Sequence, residues 1–169
     1  MLYMVEMELP DRTREAEWHD WYIAHIRKLL TLDGYFASQR FEALTPRAAP
    51  FLAIHDVVGP ELFDGTGYRT VGGPSGTGEW RDVMTNWSRN LFEGCAAMPE
   101  VAPDETLVIV DDAARIPAAV TDRVTWLSNV GLDRNIPTRG FFTLAPGEDA
   151  GARRAAGVDL FKPLTGKLR

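Results

Sequence analysis

Three histidines, His19, His25 and His55, are the side chains best suited to moving protons near neutral pH. His55 sits inside the apolar, β-prone run Phe51-Leu-Ala-Ile-His-Asp-Val-Val58. An imidazole there could serve as a general acid or base, or simply be a hydrogen-bonded histidine at a cleft edge or subunit contact. His25 follows Trp21 by one helical turn and Tyr22 by three residues, so proton transfer and core packing are both open to it. His19, beside Asp20, falls on a more polar face and reads as solvent-exposed. Arg40 could clamp a carboxylate or enolate through charge-assisted bonds, or pair with Glu6, Glu8 or Glu42 across a sheet. Tyr22, Trp18 and Trp21 could form an aromatic wall with a phenolic donor, or the ordinary filling between helix and sheet. Trp80 and Trp87 carry the same two readings. The candidate catalytic set is therefore His55, His25, Tyr22 and Arg40, with Trp21, Trp87, Phe51 and Glu6 lining the pocket.

Other chemistries find less support. Zinc needs three or four ligands, and three scattered histidines with the lone Cys95 do not spell such a set. His19 and His25 are six residues apart, about 600 degrees around a helix, and do not form a ligand pair. Gly73-Pro-Ser-Gly-Thr-Gly78 has the outer glycine spacing of a phosphate loop, but Glu79 follows where Lys is required. A lid over a cleft or a plain surface loop fits better. Ser75 has no nucleophile-elbow context. No cofactor and no metal are expected.

The elements that position these residues follow from periodicity. Residues 2–9 alternate as a strand, with Tyr3, Val5, Met7 and Leu9 on one side and Met4, Glu6 and Glu8 on the other. A helix is predicted from about residue 12 to 32, capped by Asp11 or Thr13 and stopped at Asp33-Gly34. Strands are predicted over 35–43 and 51–58, a short helical turn over 60–64, and a glycine-rich loop over 65–78. Trp80, Val83, Met84, Trp87 and Leu91 recur at helical spacing and predict a second helix over 79–94. Residues 95–105 read as linker, and 106–110 as the fourth strand. Further strands are expected at 124–132 and 140–144, with an edge strand at 159–164 kept off the sheet centre by Pro163. Residues 146–157 read as a loop or brief helix. No exact internal repeat is visible, and one domain is expected across all 169 residues.

With 45% hydrophobic and 25% charged residues the chain has a globular composition. One cysteine excludes an internal disulfide framework, and no apolar run reaches the length of a membrane span. The start lacks a basic segment followed by an apolar run, so a cytoplasmic location is expected. The net charge of -6 and scattered arginines argue against a nucleic-acid partner.

The order strand, helix, strand, strand, helix, strand is the ferredoxin-like unit. Within it, Glu17-Trp-His-Asp-Trp-Tyr-Ile-Ala-His25, then Leu29-Leu30, then Gly34-Tyr-Phe-Ala-Ser-Gln-Arg-Phe41 resembles the EthD-like branch of the dimeric α+β barrel superfamily. The resemblance covers residues 1–110, and His25-Ile26-Arg27 departs from the His-x-Pro of many relatives. It implies an α+β fold, a ferredoxin-like βαββαβ sheet that forms a dimeric α+β barrel, with 111–169 as a C-terminal extension carrying extra strands. The helices would cover one sheet face, and a homodimeric partner's sheet would cover the other. The cleft, with His55 in it, is expected on that second face.

The resemblance implies a cofactor-independent enzyme acting on an aromatic, polyketide-like or catabolic small molecule. Isomerisation, cyclisation or lyase-type elimination is placed first, with His55 or His25 as base and Tyr22 or Arg40 steadying oxygen charge. Non-catalytic binding of a hydrophobic ligand is the first alternative, and cofactor-free monooxygenation of a phenol the second, ranked as less favoured. Haem ligation by one histidine occurs elsewhere in the superfamily, but no motif here requires it.

Overall fold

The opening strand, β1 (Leu2–Glu8), turns at Pro10, where the Asp11 side chain accepts a hydrogen bond from the Thr13 amide at 3.0 Å and starts a 3-10 turn. The helix proper, α1 (Glu15–Leu29), is shorter at both ends than the predicted 12–32. It buries Trp18, Tyr22, Ile26 and Leu29. Gly34, with φ +89°, makes the turn into β2 (Tyr35–Ala43); a Cβ there would lie 2.6 Å from Val58 Cγ1. Next come β3 (Phe51–Val57) and four short helices, α2 (Glu61–Asp64), α3 (Thr66–Val71), α4 (Gly73–Thr77) and α5 (Trp80–Val83). The chain then forms β4 (Thr85–Glu93), β5 (Thr106–Val110), β6 (Thr125–Leu132), β7 (Thr138–Leu144) and β8 (Val158–Pro163). The computed structural model describes residues 1–116, 118–148 and 158–169. The predicted loop or helix at 146–157 lies, from residue 149 on, outside the described residues.

Two expectations are corrected here. The glycine-rich stretch is not a plain loop but holds α3 and α4. The predicted helix over 79–94 is one turn, α5, followed by strand β4. Trp80, Met84 and Leu91 satisfy a helical period, but Ser88, Asn90 and Phe92 also alternate as buried positions of a strand. Tertiary pairing decides between them, because β4 lies beside β1, with Tyr3 opposite Leu91 and Val5 opposite Arg89.

All eight strands pair antiparallel in one closed barrel, in the order β1-β3-β2-β8-β5-β7-β6-β4. Split at the β2–β8 and β4–β6 seams, the ring becomes two four-stranded sheets, β4-β1-β3-β2 and β8-β5-β7-β6. Each reads 4-1-3-2 in its own numbering, the ferredoxin-like order. The C-terminal part is thus a second copy of the same sheet, not an appendix. In the place of α1 it carries 3-10 turns at Ala113–Arg115 and Ala118–Arg123. The expectation that a partner subunit's sheet covers the inner face is corrected: the chain's own second half covers it. β8 is likewise no edge strand, since β2 and β5 flank it; Pro163 is tolerated as its last residue, opposite Phe41.

The barrel interior is packed. Leu2, Met4, Phe41, Leu52, Ile54 and Phe92 of the first half meet Leu107, Ile109, Leu127, Phe141 and Phe161 of the second. Fully buried Arg139 crosses between the halves. Its Nε and Nη2 each donate to a carboxylate oxygen of Asp111 at 2.7 Å, and Nη2 also donates to Glu6 at 3.2 Å. Burial opposes its charge, but Asp111 and Glu6 outweigh that and push its pKa upward. Arg47 pairs with Glu6 as well and with Asp159 at 3.0 Å. Lys167 closes a further buried pair with Asp56. Asn129 donates to Asn90 across the other seam at 2.7 Å.

Two outcomes check this architecture. Arg139→Ala leaves Glu6 short of a partner inside the barrel and is expected to destabilise the protein by about 3 kcal/mol in urea unfolding. Because the ring closes within one chain, the unfolding midpoint is expected to stay constant as protein concentration is varied a hundredfold, which an obligate inter-subunit barrel would not allow.

Candidate active site

The chemistry gathers on the outer face of the first half-sheet, beneath α1, and not inside the barrel. β3 is buried on both faces. Leu52 and Ile54 enter the barrel core, whereas Phe51, Ala53 and Val57 join the cluster under α1. By strand alternation His55 shares that side. Its ring lies 5.2 Å from those of Tyr3 and Tyr35, both in the helix-side cluster. The expectation that His55 faces away from the helices is therefore corrected.

Tyr3 stands opposite His55 in the β1–β3 register, and its hydroxyl meets the Tyr68 hydroxyl of α3 at 3.2 Å. From α1 come Trp21, Tyr22 and His25, with His25 stacked on Trp21 at 5.2 Å and 11°. Together with Val5, Leu29, Gly73, Thr77 and Trp87 these residues line a narrow throat of about 20 Å³ that reaches His55. Gly73, Thr77 and Trp87 also border an outer cavity of about 290 Å³, completed by Arg81, Met84, Arg89 and Asp133. The cleft is therefore a wide vestibule leading to a constricted inner end. α4, framed by Gly73 (φ +57°) and Gly78 (φ +59°), supplies one wall where the two meet. A Cβ on Gly76 would come within 3.1 Å of His25 and 1.7 Å of the Val71 carbonyl, so only glycine lets α4 lie this close.

Burial sets the protonation states. It pushes His55 down to about 3, with the charges of His25 and Arg40 adding to it, and His25 down to about 4, with Lys28 adding. Both imidazoles are neutral at physiological pH. Burial raises Tyr3 and Tyr35 well above the usual phenol range and Tyr22 to about 12, so these hydroxyls stay protonated as donors. His55 Nδ1 and Tyr35 Oη are buried with no hydrogen-bond partner among the described residues, as are Ser38 Oγ and Arg40 Nη2. His19 Nδ1 on α1 is a fifth such atom, and unpartnered buried polar atoms are uncommon in folded proteins.

The structure brings His55, His25, Tyr22, Trp21 and Trp87 into one cleft. It leaves three other sequence candidates outside. Glu6 is tied to Arg139 and Arg47 within the barrel. Phe51 packs against Trp18 and His19 under a guanidinium, that of Arg12. Arg40 lies over Trp18 and Tyr22, its Cζ 4.6 and 4.1 Å from their ring centroids. It pairs with no carboxylate among the described residues; Glu42 goes to Lys162 and Arg12 instead. Arg40 is thus a positioning residue for the Tyr22 ring, and burial lowers it only to about 10, still a cation. Sequence reasoning missed Tyr3, Tyr35, Tyr68 and Thr77. Tyr3 was discoverable, as the first outward residue of a strand shared with Val5 and Met7.

A haem does not fit at His55. The flanking Tyr3 and Tyr35 rings and the narrow throat leave no room for a macrocycle. No three His, Cys, Asp or Glu side chains converge as a metal set among the described residues. No helix among them is long and apolar enough to cross a membrane. In the second half, the corresponding outer face carries Val108, Val110, Phe142, Leu144 and Leu160, with the Arg123 guanidinium over the Phe142 ring and paired to Glu148.

A doubled 4-1-3-2 sheet closed into an eight-stranded ring is a ferredoxin-like α+β barrel, here contained in one chain. No family model and no curated protein matches the sequence. Solved structures do match over nearly the whole length. An anthrone oxidase-like protein matches with TM-score 0.56 and 12% identity, covering 98% of this chain and 92% of that one. A candidate monooxygenase from Lactobacillus acidophilus matches at 0.55 and 8%, covering 98% and 94%. A candidate chlorite dismutase matches at 0.53 and 7%, covering 97% and 95%. These likenesses establish the fold and do not single out the EthD-like branch. They also correct the expected order of chemistries. The matched proteins are described by oxidase, monooxygenase and dismutase activities, so placing isomerisation, cyclisation or elimination ahead of oxygenation is overturned.

The buried imidazoles make a checkable prediction. Both folded pKa values lie below the unfolded value of about 6.5, so below that pH the unfolded chain binds more protons and stability falls as pH falls. Between pH 6.5 and 5, above most carboxylate titration, the slope is expected to approach about 1.4 kcal/mol per pH unit for each histidine. Urea midpoints of the wild type against His25→Asn/His55→Asn would show that part of the slope vanish.

Proposed function

We propose that this protein oxidises an electron-rich aromatic small molecule, a phenol or anthrone-like enol, with dioxygen and without a redox cofactor. The observation that carries the reading is His55: buried, neutral, unpartnered at Nδ1, and placed at the closed end of an aromatic cleft. The similar structures described as oxidase and monooxygenase support the same class. The dimensions support it too. An inner space of about 20 Å³ is the size of one small molecule, while the vestibule of about 290 Å³ is near the lower end of organic ligand pockets. The ring would lie against Trp87 and Met84, with its reactive edge at the throat.

The chemistry balances without a further reductant. A throat imidazole, His25 or His55, takes a proton from a ring CH₂ and leaves an enolate. Tyr3 and Tyr68 donate to the developing oxygen charge, and Arg89 lends a positive field there. The enolate carbon bonds to dioxygen, and the imidazolium returns its proton to give a hydroperoxide. Loss of the second carbon-bound proton with O–O cleavage leaves C=O and one water. A low imidazolium pKa is compatible with this role, because the enolate beside it favours the protonated ring.

Anthrone is a suitable probe. Oxygen uptake with stoichiometric anthraquinone formation is expected in the wild type. His25→Ala/His55→Ala is expected to lower kcat at least a hundredfold, and Tyr3→Phe about tenfold, with folding checked by circular dichroism. Saturable ligand binding with no oxygen uptake across a panel of anthrones and hydroquinones would instead favour the simple binding protein.

A further inference from the structure

The vestibule has a charge pattern that the oxidation reading does not use. Its ionisable lining residues are Arg81, Arg89 and Asp133. Asp133 is committed to Arg89: it accepts from the Arg89 amide at 2.8 Å and from its guanidinium at 3.3 Å. Arg81 is exposed on α5, and its guanidinium makes no hydrogen bond or ion pair among the described residues, although its backbone amide donates to the Gly78 carbonyl. The throat beyond adds neutral imidazoles and phenols and no carboxylate. The whole cleft thus carries one uncompensated positive charge at its rim, on a chain whose net charge is -6. A local positive charge on an acidic protein draws anionic ligands to that point. Met84 and Trp87 line the same vestibule as Arg81, and Trp87 also borders the throat, so an apolar surface for a ring joins the two spaces.

We infer that the substrate is an aromatic acid: its carboxylate is held by Arg81 at the vestibule rim while its ring reaches past Trp87 to the throat. This rests on the proposed aromatic oxidation for the identity of the site, and narrows its substrate class. A guanidinium with free donors matches a carboxylate in two-point geometry, which a lysine would not. Arg89 is already paired with Asp133 and so does not compete with Arg81 for the carboxylate.

The test is binding, kept separate from turnover. Three probes share one ring: 2-naphthoate, 2-naphthol and 2-naphthylmethylamine. Titration calorimetry at low salt is expected to rank the acid at least tenfold tighter than the neutral phenol, with the amine weakest. Arg81→Gln is expected to cut naphthoate affinity about tenfold and leave naphthol within twofold. Arg81→Lys should recover only part of the loss. Naphthoate binding no tighter than naphthol, or an acid preference that survives Arg81→Gln, would overturn the inference. Oxygen uptake with anthrone, which carries no acid group, tests the oxidation reading alone, so either can fail without the other.

Discussion

An antiparallel sheet of four strands has two faces, and each must be hidden from water. That constraint governs this molecule. α1 and the short helices cover one face of the first half-sheet, and the second half-sheet covers the other. The contact between halves is held by a guanidinium shared between Glu6 on one side and Asp111 on the other. Such an arrangement is costly to desolvate, so its value lies in orientation: it permits one alignment of the two sheets and disfavours slipped ones. With the inside filled by side chains, any cleft had to form outside, between helix and strand.

How much was legible in the sequence follows from the same constraint. β1, β2, β3 and β5 stood out because their residues are β-prone and bounded by glycine, proline or acidic turns. Which way His55 points was not legible. β3 is buried on both faces, so Phe51, Ala53 and Val57 look no different from Leu52 and Ile54, and the period of two gives the sets without saying which is outward. β4 was hidden for another reason. Its Trp87 and Leu91 continue the helical period of Trp80 and Met84 by coincidence, and only pairing with β1 and β6 settles the matter. The doubling of the sheet was invisible because the second half keeps strand order without the helix that would advertise it.

The aromatic residues of the cleft were the easiest to name and the hardest to place. Trp21, Tyr22 and His25 follow a helical stripe, so they had to share a face of α1. Tyr68 and Thr77 arrive from a glycine-rich stretch whose local signal reads as loop, and only the folded chain shows them lining the same throat as His25 and His55. Three candidates, Glu6, Phe51 and Arg40, lie outside the cleft, because the face assigned to each strand depends on register. Each found a structural partner elsewhere: a guanidinium, an aromatic neighbour and a pair of rings.

The unequal halves have a consequence for ligand response. A true two-fold pair of subunits presents two identical cavities, and occupancy of one can alter the other. Here the first half carries the cleft lined by His25, His55 and tyrosines, and the second half, residues 106–169, contains no histidine or tyrosine at all. The two halves of the ring therefore differ in what they could hold: a ligand shaped for the first half's cleft would meet a different set of side chains in the second.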